Sequence, residues 1–296
     1  MSKEATGIIP PLTTPFTEEG NVYEEGLRRL VEFQIEKGSK GLYICGTYGS
    51  GPIMSITERK KVHEIVCKQN KGRITIISHV GTPSTAQSIE LAKHALNAGT
   101  DIVASVPPYY YSHDNNTVIQ FFEAVVKCVD IPVYVYNNPK TTGITLTPML
   151  LRQLSEVGVK GIKDSSFSFV EFSHFVLNMK DVPEFRFIVG TEAIVLPAHL
   201  IGAKGCVSGL ANCFPELMVE LWELLENRKY HEAGKLQLRV NRARQILHIP
   251  TSTNAACYTA LDARGIDVGR PKAPILPVEK EKANEMLTAF KDIGLL

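Results

Sequence analysis

Val159-Lys160-Gly161-Ile162-Lys163-Asp164-Ser165-Ser166 is a short apolar strand that runs directly into a lysine. About one strand–helix unit upstream, Pro132-Val133-Tyr134-Val135-Tyr136-Asn137 ends in a tyrosine. If the two are neighbouring parallel strands, Lys163 and Tyr136 meet at their carboxyl ends, where barrel enzymes collect their chemistry. A lysine and a phenol so placed suit imine formation on a 2-oxo acid, with the amine attacking the carbonyl and the phenol moving protons. Taken alone, a lysine after an apolar run is a surface residue whose stem covers the strand end. The rest of the chain has to decide.

The same pattern recurs. Candidate strands fall at Gly7–Pro10, Gly41–Cys45, Ile74–Ser78, Ile102–Val106, Val133–Tyr136, Gly161–Lys163, Phe187–Val189 and Cys206–Ser208. Between them the apolar residues step helically over Tyr23–Lys37, Ile56–Lys71, Thr85–Asn97, Asn115–Val129, Pro148–Val157, Phe169–Met179 and Glu192–Ile201. Ser55-Ile56-Thr57-Glu58 and Thr147-Pro148 read as helix starts, a hydroxyl cap followed by acid or proline. Strands alternating with helices imply parallel crossovers, and this count fits a (β/α)₈ TIM barrel over residues 1–214. An open doubly wound sheet would alternate in the same way. No Gly-x-Gly-x-x-Gly follows the first strand, which speaks against its dinucleotide-binding form. Beyond Ser208 the rhythm changes to helices at Pro215–Asn227, His231–Leu247, Thr253–Leu261 and Lys280–Asp292, a C-terminal helical extension over 215–296. A proline-rich strap, Gly269 to Pro277, joins the last two.

Composition narrows the function. Across 296 residues the net charge is +1, so no strong field draws nucleic acid or an anionic membrane. No apolar run is long enough for a membrane span, and the amino terminus has no apolar leader. The six cysteines are scattered, which fits reduced thiols in the cytoplasm. The eight histidines show no metal-ligand spacing, so a metal site has no support in the sequence.

Each proposed strand ends at the same rim. The second ends in Gly46-Thr47-Tyr48-Gly49, the fourth in Pro107-Pro108-Tyr109-Tyr110-Tyr111 and the fifth in Tyr136-Asn137-Asn138-Pro139. The sixth ends in Lys163-Asp164-Ser165, the seventh in Gly190-Thr191-Glu192 and the eighth in Ser208-Gly209. Turn residues are common at strand ends for conformational reasons alone, and clustered tyrosines commonly pack. Together they make a hydroxyl-rich rim with one lysine among aromatics, whose pKa burial lowers toward a usable nucleophile.

The ordered set Gly46-Thr47-Tyr48-Gly49-Ser50-Gly51-Pro52, Pro107 to Tyr111, Tyr136 to Gly143, Gly161 to Ser166 and the strap resembles the pyruvate-dependent class I aldolase superfamily. That family includes N-acetylneuraminate lyase, dihydrodipicolinate synthase and 2-keto-3-deoxygluconate aldolase. The resemblance implies that Lys163 forms the Schiff base and Tyr136 shuttles protons. Thr47 would link the tyrosines and hold the pyruvate carboxylate, and Tyr110 would reach across a tight dimer interface of a homotetramer. The substrate-binding set it implies is Thr47, Tyr48, Thr141, Ser165, Gly190, Glu192 and Val207.

Departures from the family pattern guide the choice of substrate. Tyr48 and Ser50 replace the usual small residue and glutamate of the second-strand turn. Thr141 stands where dihydrodipicolinate synthases carry a carboxylate-binding arginine, and Glu192-Ala193 where sialate lyases carry an acidic pair. The expectation is therefore a cofactor-free lyase of carbohydrate metabolism that makes or cleaves a 2-keto-3-deoxygluconate-like acid from pyruvate and an aldehyde. Ser165 and Glu192 would hold the polyol tail. The alternatives are dihydrodipicolinate synthase or sialate lyase activity through the same imine. A non-catalytic 2-oxo-acid sensor is a further alternative, although binding alone needs neither the nucleophile nor the base.

Overall fold

The computed structural model describes residues 4–296; Met1, Ser2 and Lys3, the start of the amino-terminal run read above, lie outside the described residues. The strands are β1 (Gly7–Ile9), β2 (Gly41–Ile44), β3 (Thr75–His79), β4 (Ile102–Ser105), β5 (Val133–Asn137), β6 (Gly161–Asp164), β7 (Arg186–Val189) and β8 (Gly205–Val207). They form one eight-stranded sheet in the order β1-β8-β7-β6-β5-β4-β3-β2, with every ladder parallel. The two edges also meet. Pro11, just past β1, bridges Tyr43 of β2; Leu12 N–H donates to the Tyr43 carbonyl and Tyr43 N–H to the Pro10 carbonyl, each at 2.9 Å. That closure makes a (β/α)₈ barrel and excludes the open doubly wound sheet.

Around it lie α1 (Glu24–Glu36), α2 (Ile56–Asn70), α3 (Thr85–Ala98), α4 (Asn115–Lys127), α5 (Pro139–Thr142), α6 (Pro148–Glu156), α7 (Phe169–Asn178) and α8 (Val195–Leu200). The chain ends with α9 (Pro215–Glu226), α10 (Tyr230–Leu247), α11 (Thr253–Ala263) and α12 (Lys280–Asp292). The helix starts follow local chemistry. Glu58 N–H donates to Ser55 Oγ while Ser55 N–H donates to the Glu58 carboxylate, closing a capping box on α2. Thr147 Oγ1 accepts from Leu150 N–H ahead of Pro148.

Side-chain alternation along the strands divides the interior in two. Leu42, Ile44, Val133, Val135 and Ile162 face outward into the layer shared with the helices, while Ile9, Tyr43, Ile77, Tyr134 and Tyr136 face the barrel lumen. From the helix side, Leu27, Leu30 and Val31 of α1 are completely buried, each worth roughly 1.5–3 kcal/mol.

Two segments depart from the sequence reading. The helix expected over Glu192–Ile201 is a 3₁₀ turn, Glu192–Ile194, begun where Thr191 Oγ1 accepts from Ala193 N–H, followed by α8. The short α5 lies where the sequence pattern marks no helix; Pro139 opens it and Gly143, at φ +72°, ends it. The strap is pinned beside the first loop, where Phe16 and Arg270 pair backbone to backbone and Lys272 Nζ meets Glu58 at 2.7 Å. α10 packs on α9 and α12 and against the Glu192–Ile194 turn, so the tail reaches the end of β7.

Candidate active site

Parallel pairing sets Tyr136 opposite Lys163 and Asn137 opposite Asp164. Alternation then turns Tyr136 and Lys163 into the lumen and the other pair outward. Asp164 is held there by Asn137 Nδ2 and Ser166 Oγ, each donating at 2.7 Å, which fixes the end of β6. Below Lys163 only glycine fits at 161: a Cβ there would stand 2.9 Å from the Tyr134 ring and 2.8 Å from the Arg186 carbonyl.

Lys163 is buried, its Nζ 3.6 Å from the centre of the Tyr136 ring and 4.1 Å from that of Tyr43. Burial pulls the ammonium's pKa below the usual lysine value, while the attraction and hydrogen bond of Tyr136 oppose the shift. Tyr136 is lowered as well. Burial resists its phenolate, but the Lys163 charge and hydrogen bonds from Thr47, Lys163 and Ser165 outweigh it. Asn138 Nδ2 adds a donation to the Tyr136 hydroxyl at 3.1 Å. Each partner is thus prepared to pass its proton to the other or to a bound carbonyl.

His79 lies against both tyrosine rings. Val106 N–H donates to its Nε2 at 3.2 Å, so Nδ1 carries the proton and faces the Cys45 carbonyl at 3.2 Å. Burial, then the charges of Arg59 and Lys163, keep the ring neutral. Arg59 is itself buried and donates to the carbonyls of His79, at 2.5 Å, and Gly81, at 3.1 Å.

Above Lys163 opens a cavity of about 470 Å³, within the ordinary range for small-molecule sites. Thr47, Tyr48, Tyr136, Thr141 and Lys163 line it, as do Ser165, Gly190, Glu192 and Val207. Tyr110 does not: it is 84% exposed, on a backbone with φ +84°. Glu192 lines the cavity but is already engaged. Ser208 Oγ donates to one carboxylate oxygen at 3.0 Å and Arg244 Nε lies 3.2 Å from the other. Both its oxygens therefore have a partner within the protein, and each keeps a lone pair for a ligand's hydroxyl.

Sequence reasoning missed Tyr43, Asn138, Lys140, Arg244 and His248. Asn138 and Lys140 sit inside a motif already quoted and were within reach. Arg244 and His248 come from the tail, where α10 reads as a charged helix face. Thr141 offers a substrate carboxylate no charge, but the fold brings the Arg244 guanidinium to the same cavity from α10.

A closed parallel barrel with a buried, desolvated lysine against a phenol at its carboxyl end defines a lysine Schiff-base lyase of the aldolase type. Residues 4–293 match the profile of the dihydrodipicolinate synthetase family, and the chain belongs to that family. The 4-hydroxy-tetrahydrodipicolinate synthase of Methanothrix thermoacetophila is 31% identical over 291 residues, covering 97% of each chain. Among solved structures, YagE, an E. coli K12 prophage protein of the dihydrodipicolinic acid synthase family in complex with pyruvate, superposes with a TM-score of 0.95 at 26% identity, over 98% of this chain and 99% of its own. A variant of Sulfolobus solfataricus 2-keto-3-deoxygluconate aldolase gives 0.88 at 28% identity, over 97% and 96%. The relatives' names lean toward the synthase alternative rather than toward the sugar acid preferred from sequence. No helix among the described residues is long and apolar enough to cross a membrane.

Proposed function

We propose that the chain joins pyruvate, as a Lys163 imine, to an aldehyde that carries a carboxylate, in the manner of 4-hydroxy-tetrahydrodipicolinate synthases acting on aspartate semialdehyde. The observation that carries the reading is Lys163 Nζ, buried between two aromatic faces and 3.6 Å over the ring of Tyr136. The neutral amine adds to C2 of pyruvate, and loss of water gives the protonated imine. Tyr136 collects and returns the protons of that step. The imine then draws electrons from C3, which gives its proton to the Tyr136 phenolate and attacks the aldehyde carbon. The new alkoxide takes a proton from the phenol, and hydrolysis frees Lys163. Thr47 and Ser165 hold the phenol in place, with the Thr47 hydroxyl and the turn backbone at Tyr48 on the pyruvate carboxylate. Tyr110, exposed on the single chain, would complete the relay from a neighbouring subunit.

A second reading, cleavage of a 2-oxo-3-deoxy sugar acid, is favoured by one observation: Thr141 in the cavity offers a neutral hydroxyl in place of a charge. One experiment tests the shared chemistry. Borohydride with pyruvate should add a stable mass to the Lys163 peptide and none to Lys163→Ala. A folded wild-type protein without the adduct would overturn both readings and promote the sensor. An acceptor panel then separates them, with aspartate semialdehyde expected to exceed glyceraldehyde in kcat/KM.

A further inference from the structure

Arg244 enters the cavity from α10, outside the strand–helix repeat. One atom of its guanidinium is tethered, the Nε facing Glu192 at 3.2 Å. Glu192 cannot swing, because Ser208 Oγ holds its second oxygen and Gln237 Nε2 donates to its backbone carbonyl at 2.8 Å. The Phe167 ring stands 6.0 Å from the guanidinium carbon. Neither terminal amino group of Arg244 has a hydrogen-bond partner among the described residues.

A guanidinium pinned through Nε has lost much of its freedom, yet its outer edge still presents N–H bonds in one plane. A carboxylate matches that edge with parallel charge-assisted bonds. Lys140, from α5, lines the same cavity and adds a second positive charge. His248 stands with them; burial and the charges of Arg244 and Lys140 hold its pKa below the usual value, so it is neutral at pH 7.

We propose that Arg244 binds the carboxylate of the acceptor aldehyde, flanked by Lys140, and that Glu192 is a positioning residue that aims the guanidinium. The inference rests on the pyruvate-imine reading and assigns the recognition of its second substrate.

The test compares wild type, Arg244→Gln, Arg244→Lys and Glu192→Gln with pyruvate and three acceptors: aspartate semialdehyde, neutral glyceraldehyde and glyceraldehyde 3-phosphate. Borohydride trapping of pyruvate reports folding and imine chemistry separately. Arg244→Gln should raise KM for the semialdehyde by about 30-fold, with a smaller change in kcat. Glyceraldehyde turnover should stay within about 3-fold and trapping should be intact. Arg244→Lys should recover part of the loss, and Glu192→Gln should raise the same KM by less. Equal losses for the semialdehyde and glyceraldehyde would overturn the proposal, as would a loss confined to the phosphorylated acceptor or a wild type that ignores the semialdehyde. Failure of trapping in wild type would instead strike the imine reading. If Arg244→Gln does not fold, Arg244→Lys and Glu192→Gln decide by the same KM criterion.

Discussion

Tyr136 and Lys163 are register partners across β5 and β6, and the lysine's Nζ sits 3.6 Å over the tyrosine's ring rather than out at the rim. The pairing is set by backbone hydrogen bonds, so the lysine and the phenol proposed to act together are fixed by the same ladder that builds the barrel.

Removing the phenol while keeping the ring should separate binding from turnover. Tyr136→Phe should still form the pyruvate adduct, but kcat should fall by about 10²-fold or more if this hydroxyl is the acid–base group. Its attraction and hydrogen bond also raise the Lys163 pKa, so the alkaline rise of imine formation should move to lower pH in the variant. Stopped-flow trapping across a pH series measures both effects.

In the wild type the amine is the reactive form, and burial lowers its pKa. Imine formation should therefore rise with pH through a midpoint below the ~10.4 of free lysine and then level. Folding stability carries the same sign. Between the lowered value and ~10.4 the unfolded chain binds more protons, so this group's contribution to stability increases with pH across that window. Urea titrations of wild type and Lys163→Met at several pH values should show it.

Tyr43 presents its ring to Lys163, but its hydroxyl is buried with no hydrogen-bond partner among the described residues. Tyr43→Phe deletes the unpaired hydroxyl and keeps the aromatic face. The variant should gain about 1 kcal/mol in chemical denaturation. The pH midpoint of imine formation should stay where it was, because the cation–π contact remains.

Arg59→Met should be costly. It leaves the carbonyls of His79 and Gly81 buried without their donor. A loss of about 2 kcal/mol or more is expected from two unpaired acceptors. Denaturation midpoints will show it, and because His79 borders both tyrosines, pyruvate trapping should slow as well.

Lys163 and Tyr136 were legible in the sequence because strand-end residues are local: an apolar run, its end and the repeat around it suffice. Alternation also placed the rim, and nine of the ten residues named for it line one cavity. Tyr110, assigned to the end of the fourth strand and expected to reach a neighbouring subunit, is exposed on the single chain, on a left-handed backbone that no strand pattern encodes. Arg244 was illegible for another reason. Arg239, Arg242 and Arg244 share one helix, and which of them enters the cavity depends on how α10 seats against the Glu192–Ile194 turn. Tyr43 falls between these cases: its inward direction follows from period-two alternation, but the reach of its ring to Lys163 depends on barrel closure.

The tail's place in the cavity wall has a consequence for how such chains diversify. Tyr136 and Lys163 lie on strands that end before residue 165, whereas Arg244, His248 and Thr253 come from the last third of the chain. A crossover at the Phe214–Pro215 junction would therefore exchange the arginine's contribution while Lys140, Thr141 and Glu192 stay with the amino-terminal parent. Chimaeras joined there should trap pyruvate as their amino-terminal parent does, and should lose the preference for a carboxylate-bearing aldehyde when the carboxyl-terminal parent lacks the arginine.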